Sequence, residues 1–440
     1  MVRLALVLFS ATLAARADWQ AGAAAVSITP TEPIWLAGYA SRTKPHEVVR
    51  QNIFAKALAL RDTSSGATAV IVTLDLVSIR RAQAEPIAAE IQKRHGIPRD
   101  RILFNASHTH SAPILGDAGS YLYHFGDKPE KYLEPIARYG EFARARILEA
   151  VDQAVARLEP ATLSFGQSLA GFAVNRRRVT NRNWPGPVDH DVPVLAVRNA
   201  VGAVRAILFG YACHNTVMGD ETVHGDYAGY AQAALEQRHP GAVALFVQGA
   251  GADQNPLPRR KVEHLERYGT TLADSVDEVV AAKPRAVSGP LKTAIEFPVL
   301  NFQPPPTRAE LEKQTASTSE TERRHAQRLL ASLAKDGKIV DTVLYPVQAW
   351  NFGSFRLLAL AGELVADYSV RFKNTYGHDA LWVAGYSNDV FGYIPSLRVL
   401  REGGYEGGGA YQFSGFPGPL AADVEDRITS AVSRVMEKVK

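Results

Sequence analysis

Two histidines separated by a single residue, His108 and His110, give the strongest chemical signal in the sequence. They lie in the segment Asn105-Ala-Ser-His-Thr-His-Ser-Ala-Pro113, directly after the apolar run 101–106 that predicts a buried strand. Ligands and catalytic groups collect beyond the carboxyl ends of strands in α/β sheets. A lone histidine is more often a buried structural residue, but this pair favours a site in which one imidazole binds a metal ion.

Two further polar residues follow apolar strands in the same way. His214 comes after the run 204–211, where a buried structural histidine is an equally good interpretation. Glu363 comes after the run 355–360 and either opens a helix or ligates a metal. Two imidazoles, a carboxylate and further oxygen donors are the ligands that zinc prefers, with one position left open for water. Zinc lowers the pKa of that water towards ~7 and polarises a carbonyl group.

A glycine-rich loop follows the apolar run 242–247. Its sequence is Gln248-Gly-Ala-Gly-Ala-Asp253-Gln254-Asn255-Pro256, and the small residues let the backbone approach a ligand closely. The loop has neither the Lys-Ser/Thr pair nor the GxGxxG spacing of phosphate-binding loops. Nucleotide binding is therefore not expected.

The elements that must position these residues alternate between apolar strands and amphipathic helices. Strands are expected at 69–76, 101–106, 192–197, 204–211 and 242–247, and helices at 81–94, 141–158 and 227–238. A surface helical excursion at 303–337, strands at 342–350 and 355–360, and an amphipathic helix at 421–439 complete the chain. This pattern predicts an α/β fold, a layered sheet flanked by helices, in a single large catalytic domain with the metal site at the carboxyl ends of the strands.

The composition is that of an ordinary globular protein, with 46% hydrophobic and 21% charged residues. The net charge is +4, and one short basic cluster occurs at 176–178 with Arg182. A nucleic-acid-binding module would carry a longer basic stripe, so we expect no nucleic-acid partner. The charge does allow weak peripheral contact with an anionic membrane surface. Cys213 is the only cysteine, which excludes an intrachain disulfide.

The first 17 residues predict a signal peptide. A basic start precedes the apolar run 4–13, and Ala15-Arg-Ala17 has the small-x-small pattern of a cleavage site. The run is too short to span a membrane, and no other stretch is long enough. We therefore expect an exported protein, secreted or periplasmic, whose mature chain of one domain covers residues 18–440.

Taken in order, these segments resemble the catalytic domain of the neutral/alkaline non-lysosomal ceramidases. The resemblance runs from Ile28-Thr-Pro30 through the histidine pair and His214-Asn-Thr to Gly-Glu363 and Gly385-Tyr-Ser-Asn. It implies a zinc-dependent amidohydrolase that cleaves the N-acyl bond of ceramide or a related lipid. The implied zinc ligands are His108, His214, Glu363 and Tyr393. The implied residues that hold the substrate or stabilise developing negative charge are His110, Arg176 and Tyr405.

Two departures from the family pattern affect the implied mechanism. The family has a serine after the glycine-rich loop, whereas this sequence has none at 252–256 and carries Gln254 there. A water molecule activated by zinc would then attack directly, with His110 or Asp253 as the proton acceptor. The family also usually carries an immunoglobulin-like domain after the catalytic one, and we expect no such domain in this chain.

Two other functions remain open on the sequence alone. A zinc hydrolase on the same scaffold could act on a non-lipid amide, an ester or a glycan-derived group, and the missing serine favours this alternative. A non-catalytic exported binding protein could also keep the scaffold. The presence of all four implied ligands argues against that second alternative.

Overall fold

The computed structural model describes residues 18–116, 125, 129–282 and 284–440, so the expected signal peptide, residues 1–17, lies outside the described residues. The strands are β1 (Trp19–Ser27), β2 (Val48–Val49), β3 (Phe54–Asp62), β4 (Thr68–Leu74), β5 (Ile102–Ala106), β6 (Glu159–Leu169), β7 (Ala173–Asn175), β8 (Asp191–Asn199), β9 (Val204–Tyr211), β10 (Thr222–Val223), β11 (Val243–Gln248), β12 (Gln254–Pro256), β13 (Arg285–Val287), β14 (Lys292–Glu296), β15 (Val299–Asn301), β16 (Thr342–Leu344), β17 (Val347–Asn351), β18 (Arg356–Leu360), β19 (Glu363–Leu364), β20 (Leu381–Ala384) and β21 (Tyr393–Ile394).

The helices are α1 (Arg81–His95), α2 (Glu130–Ala156), α3 (Arg177–Thr180), α4 (Asp226–Arg238), α5 (Glu263–Ala281), α6 (Arg308–Gln314), α7 (Glu320–Asp336), α8 (Ala366–Tyr376), α9 (Leu397–Glu402), α10 (Tyr411–Ser414) and α11 (Val424–Lys438). In the described part of the chain, no helix combines the length and the apolarity that crossing a bilayer requires.

Two mixed sheets form the centre of the fold. The described strands of the larger sheet follow the order β11-β9-β8-β6-β1-β3-β4-β5, and β13 pairs with β6. Among the described strands of this larger sheet, only the pairs β4–β5 and β9–β11 are parallel. The smaller sheet has the order β14-β17-β18-β20. Parallel strands are buried on both faces, which explains why β4, β5, β9 and β11 are continuous apolar runs.

Helices cover the outer faces of the two sheets, which pack against each other. Helices α1 and α2 pack on one half of the larger sheet, and α4 and α5 pack on the other half. The opposite face meets the smaller sheet around Trp350 and Trp382, and α8 and α11 cover the far side of that sheet. The structure therefore has the α/β architecture with a layered, helix-flanked sheet that the sequence predicts.

The edge strands β5 and β11 of the larger sheet meet through the buried side chain of Asn105. The backbone N–H of Gln248 donates to Oδ1 of Asn105 (2.8 Å), and Nδ2 of Asn105 donates to the carbonyl of Gly385 (2.8 Å). A fully buried amide needs such partners on both of its ends. The contact brings together the carboxyl ends of β5, β11 and β20.

Three of the expected elements differ from the observed ones. The helix expected at 141–158 begins at Glu130, because Ile136 and Tyr139 pack on the core and outweigh the helix-breaking tendency of Pro135. The strand expected at 342–350 is two strands, β16 and β17, with Pro346 between them unable to donate a hydrogen bond. Glu363 lies in β19 and not at the start of a helix.

Candidate metal centre

Loops that follow β5, β9 and β18 bring three of the sequence-predicted ligands into contact. The Oε2 atom of Glu363 lies 3.2 Å from Nε2 of His108 and 3.4 Å from Nε2 of His214. The hydroxyl oxygen of Tyr393 lies 3.4 Å from the same Nε2 atom of His214. All four side chains that the sequence resemblance implies as ligands therefore form one connected cluster.

Backbone carbonyl groups orient the two imidazoles. Nδ1 of His108 donates to the carbonyl of Val77 (2.7 Å), and Nδ1 of His214 donates to the carbonyl of Gly251 (2.8 Å). A hydrogen bond of this kind fixes the tautomer, so that Nε2 keeps its lone pair. Histidines that bind metals commonly have their second nitrogen held in this way. Both Nε2 atoms are thus prepared to accept a metal ion.

A short parallel pairing places the two oxygen donors side by side. Strands β19 and β21 pair with Glu363 opposite Tyr393. The backbone N–H of Glu363 also donates to the carbonyl of Gly392 (2.8 Å), which fixes the start of the pairing. Although each strand has only two residues, their pairing holds Glu363 and Tyr393 side by side next to the imidazoles.

The donor set and its spacing fit a zinc ion. Ligands at about 2.0–2.1 Å from a tetrahedral ion lie about 3.4 Å from one another, which is close to the distances from Glu363 to His108 and His214. Although Oε2 of Glu363 is buried, no well-aligned hydrogen bond from a described residue reaches it. Burial alone would raise the pKa of Glu363, but positive charge on the two imidazoles, when they are protonated, holds that pKa well below its usual value. Positive charge at this position therefore favours the ionised carboxylate, the form that ligates a cation.

His110 lies beside this centre as a third imidazole. Its Nε2 atom is 3.1 Å from Nε2 of His108, and its ring centroid is 4.7 Å from that of Tyr39. His108, His110 and His214 form a group that could hold a metal ion. Nδ1 of His110, however, is buried and has no partner among the described residues. Burial, followed by the charges of His108 and His214, lowers the pKa of His110 well below its usual value.

Arg176 and Tyr405 lie on the Tyr393 side of the centre. Nη2 of Arg176 donates to the hydroxyl of Tyr393 (3.0 Å), and Nε donates to Oε1 of Glu406 (2.7 Å). The ring of Tyr405 is 5.2 Å from that of Tyr393 and faces solvent with 47% of its surface exposed. The carboxylate of Glu406 fixes the guanidinium in place, so a positive charge and two phenols line one side of the candidate site.

The remaining sequence-predicted residue, Asp253, has its two oxygens occupied elsewhere. Oδ2 accepts from Nδ2 of Asn175 (2.8 Å), and Oδ1 accepts from the backbone N–H of Ala366 (2.9 Å). Burial raises the pKa of Asp253 to about 6. The residue links the loop that carries Arg176 to the segment after Glu363, and none of its hydrogen bonds reaches the three imidazoles.

Asn255 is a site residue that the sequence did not single out individually. Its Oδ1 atom accepts from Nη1 of Arg176 (3.3 Å). The side chain of Gln254 is instead fully buried between the backbone N–H of Asp189 (3.0 Å) and the carbonyl of Ala250 (3.1 Å). The side chain of this loop that contacts Arg176 is therefore the amide of Asn255. The glycine-rich loop was the available signal, but it does not indicate which side chain points inward.

Tyr386 and Gly38 also contribute without having been predicted individually. The buried ring of Tyr386 lies 4.6 Å from that of His108. A Cβ atom at Gly38, which has a φ angle of +96°, would collide with the ring of His110. Both residues belong to segments that the sequence resemblance includes, but their roles depend on contacts across the fold.

Residues 19–299 match the family model described as neutral/alkaline non-lysosomal ceramidase, N-terminal, which is more than half of the chain. The match includes His108, His110, Arg176 and His214, and ends before Glu363. No curated protein sequence matches the chain.

Two solved structures share the fold. Neutral ceramidase from Pseudomonas aeruginosa has a TM-score of 0.73 at 19% sequence identity, over 96% of this chain and 75% of that chain. A structure described as a ceramidase complexed with C2 has a TM-score of 0.74 at 18% identity, over 96% of this chain and 76% of that chain. At these identities the similarity concerns the fold.

Proposed function

Because the chain belongs to the neutral/alkaline non-lysosomal ceramidase family, we propose that it is a zinc-dependent amidohydrolase that cleaves the N-acyl bond of ceramide or a related lipid. Membership of the family supports a hydrolase activity of the ceramidase type. The proposal adds the identity of the metal and of the bond that is cleaved. One observation carries it: Oε2 of Glu363 lies within 3.4 Å of the Nε2 atoms of both His108 and His214. Residues 18–440 form the hydrolase domain in this proposal.

His108, His214, Glu363 and Tyr393 hold the zinc ion in the proposed site. Bound there, zinc would supply an activated water molecule and polarise the carbonyl group of the substrate. The carbonyl groups of Val77 and Gly251 keep the two imidazoles aimed at the ion.

His110 is the proton acceptor in this proposal. Its Nδ1 atom has no partner among the described residues, whereas backbone carbonyls fix the Nδ1 atoms of His108 and His214. A ring that can carry its proton on either nitrogen can take a proton from the attacking water and pass it to the leaving amine. Asp253 holds Asn175 and Ala366 in place and is a positioning residue.

Arg176 and Tyr405 bind the carbonyl oxygen and stabilise the negative charge that develops on it. The ion pair with Glu406 (2.7 Å) fixes the guanidinium before the substrate arrives. Donors that are already in place stabilise a transition state most effectively, because they need no reorganisation during the reaction. Removal of one such donor typically lowers kcat by about 10²–10³.

A non-lipid amide or ester is a second candidate substrate, supported by the surroundings of Tyr393. Asn255, rather than a serine, contacts Arg176, so the substrate meets an amide there. An aromatic crevice beside Tyr393, lined by Phe391 and Phe416, has a volume of about 30 Å³. This crevice is narrow and offers little room for a long acyl chain next to Tyr393.

The test combines metal analysis with hydrolysis assays. Wild type, His108→Ala and the control His378→Ala, which replaces an exposed histidine, are purified, and their zinc content is measured by mass spectrometry. Each is then incubated with N-acyl sphingosines, N-acyl amino acids and simple esters. We expect one zinc per chain and amide hydrolysis in wild type and in the control, and neither in His108→Ala. Protein that binds no metal and cleaves nothing would be the non-catalytic binding protein.

Export is also part of the proposal. Strand β1 begins at Trp19, so cleavage between Ala17 and Asp18 would leave the sheet intact. N-terminal sequencing of the protein from the periplasm or the medium should give Asp18 as the first residue. Recovery of the uncleaved chain from the cytoplasm alone would contradict export. In this proposal the exported protein contacts the membrane only peripherally, where it meets lipid substrate at the membrane surface.

A further inference from the structure

We infer that the substrate carries a carboxylate close to the bond that is cleaved, and that Arg259 and Arg260 bind this carboxylate. The inference rests on the proposed amidohydrolase function and narrows its substrate class to N-acyl amino acids and similar acidic amides. Ceramide itself is uncharged, so the inference separates this chain from an enzyme that is specific for ceramide.

Arg260 lies one aromatic ring away from His110. Its guanidinium carbon is 5.1 Å from the ring centroid of Tyr39, and the Tyr39 ring also contacts the His110 ring at 4.7 Å. The backbone N–H of Arg260 donates to the carbonyl of Val217 (2.7 Å), in the segment that follows His214. The side chain is therefore attached to the same loop that carries a proposed zinc ligand.

The arginines differ in how their charges are compensated. Arg176 is paired with Glu406 at 2.7 Å, and the buried Arg177 is paired with Glu402 and Glu406 at 2.9 Å each. In contrast, neither Arg259 nor Arg260 has an ion-pair partner within 4.0 Å among the described residues, and the nearby carboxylate of Asp226 is buried and held by backbone N–H groups. A pair of adjacent guanidinium groups without an acidic partner is suited to an anion supplied from outside.

Arg259 lies close to two other arginines, Arg260 and Arg176. The side chain is half-buried, and burial, followed by the charges of Arg260 and Arg176, lowers its pKa, whereas Tyr39 and Asp226 act in the opposite direction. An anion placed between these groups would relieve their mutual repulsion. A guanidinium binds a carboxylate through two parallel hydrogen bonds, a geometry that lysine does not offer.

The backbone holds Arg260 in a conformation that is uncommon for a residue with a side chain. Its φ angle is +77°, in the left-handed region that favours glycine. A Cβ atom at Gly219 would collide with Nη1 of Arg260, so the absence of that atom leaves room for the guanidinium. Strained residues of this kind are typical of functional sites. The sequence thus retains a side chain where glycine would fit more easily.

A matched pair of substrates tests the inference. N-dodecanoylglycine and N-dodecanoylethanolamine have the same acyl chain and amide, and they differ by a carboxylate in place of a hydroxymethyl group. We expect zinc-loaded wild type to have a higher kcat/KM for the glycine compound by about tenfold or more, the effect of one charge-assisted hydrogen bond. The ratio of kcat/KM for the glycine compound to kcat/KM for the ethanolamine compound should fall towards one in Arg259→Gln and in Arg260→Gln. It should be unchanged in the control Arg267→Gln, which replaces an exposed arginine on α5.

A binding measurement separates this inference from the proposed function. The sulfonamide analogues of the two amides are not cleaved, and their binding to metal-free protein is measured by calorimetry. Preferential binding of the acidic analogue that is lost in the two arginine variants supports the inference even if no amide is hydrolysed, an outcome that would count against the proposed function alone. Equal binding of the two analogues, or binding of neither, overturns the inference. A third outcome also overturns the inference: the two variants lose binding to vesicles of anionic lipid, and wild type shows no preference between the analogues. The two arginines would then form a contact with the membrane surface.

Discussion

The Oε2 atom of Glu363 lies 3.2 Å from Nε2 of His108, although the two residues follow strands of different sheets. His108 follows β5 of the larger sheet, and Glu363 follows β18 of the smaller one. The two atoms are held close together without a well-aligned hydrogen bond to Oε2. An ion between them would join the two sheets, so metal binding and the stability of the folded chain should be coupled.

Zinc binding should stabilise the folded chain measurably. Zinc at 100 times its dissociation constant should raise the free energy of unfolding by about 2.7 kcal/mol, because the ion binds the folded state. Glu363→Gln should remove most of this increment, since it replaces a charged ligand by an amide. Differential scanning calorimetry with zinc and with a chelator measures the effect. Glu266→Gln, on the exposed face of α5, serves as the control, and an undiminished zinc effect in Glu363→Gln would exclude that residue as a ligand.

His110→Asn should separate catalysis from metal binding. The substitution removes the proposed proton acceptor, so kcat should fall by about 10²–10⁴. The zinc content should stay at the wild-type value, because the tautomers of His108 and His214 are fixed independently of His110. Kinetics together with metal analysis give both quantities. If zinc is lost along with activity, His110 is itself a ligand.

Gly38→Ala should displace the ring of His110. The new Cβ would collide with that ring, and the φ angle of +96° also disfavours alanine. We expect a loss of about 2 kcal/mol or more in the free energy of unfolding together with a large loss of kcat. Gly66→Ala is the matched control, since its φ angle of +71° brings the same backbone strain but its Cβ meets no atom within 4 Å. That control should lose about 1 kcal/mol and keep full activity.

The sequence predicts strands well where both of their faces are buried. Strands β4, β5, β9 and β11 are continuous apolar runs, and each was expected close to its observed position. Strands β1 and β6 were not expected, because β1 is rich in alanine and glycine and β6 mixes polar with apolar residues. Their positions are set by pairing with β3 and β8, which a local pattern does not contain.

In the candidate site, too, some residues could be placed from local sequence patterns and others only from contacts across the fold. His108 and His214 follow buried strands, so their positions could be predicted from the carboxyl ends of those strands. Glu363 and Tyr393 become neighbours through a pairing of two very short strands, which only the family resemblance could indicate. Asn255 reaches Arg176 because β12 pairs with β7, a contact that no local sequence pattern reveals.

Acid should weaken the turn that contains Asp62. Burial alone would raise the pKa of Asp62, but hydrogen bonds from Ser64, Ser65 and the backbone of Leu291 lower it to about 2. The unfolded chain has a pKa of about 3.9, so the stabilisation is complete above that pH and is lost as the pH falls towards 2. Asp62→Asn should therefore reduce the free energy of unfolding at neutral pH by more than about 1 kcal/mol. Urea titrations at several pH values should show this difference shrinking below pH ~4. The control Asp341→Asn, on an exposed residue, should show no such trend.

Asp253→Asn distinguishes a positioning residue from a proton acceptor. Both oxygens of the carboxylate accept hydrogen bonds, from Asn175 and from the backbone of Ala366, so the new amide group must point one N–H at another donor. A buried donor left without an acceptor costs about 1–3 kcal/mol, and the melting temperature should fall accordingly. The effect on kcat should be indirect and smaller than about tenfold, well below that of His110→Asn. A variant with an unchanged melting temperature and a loss of kcat as large as that of His110→Asn would instead make Asp253 the proton acceptor, because only a direct part in the reaction would lower the rate without loosening the fold.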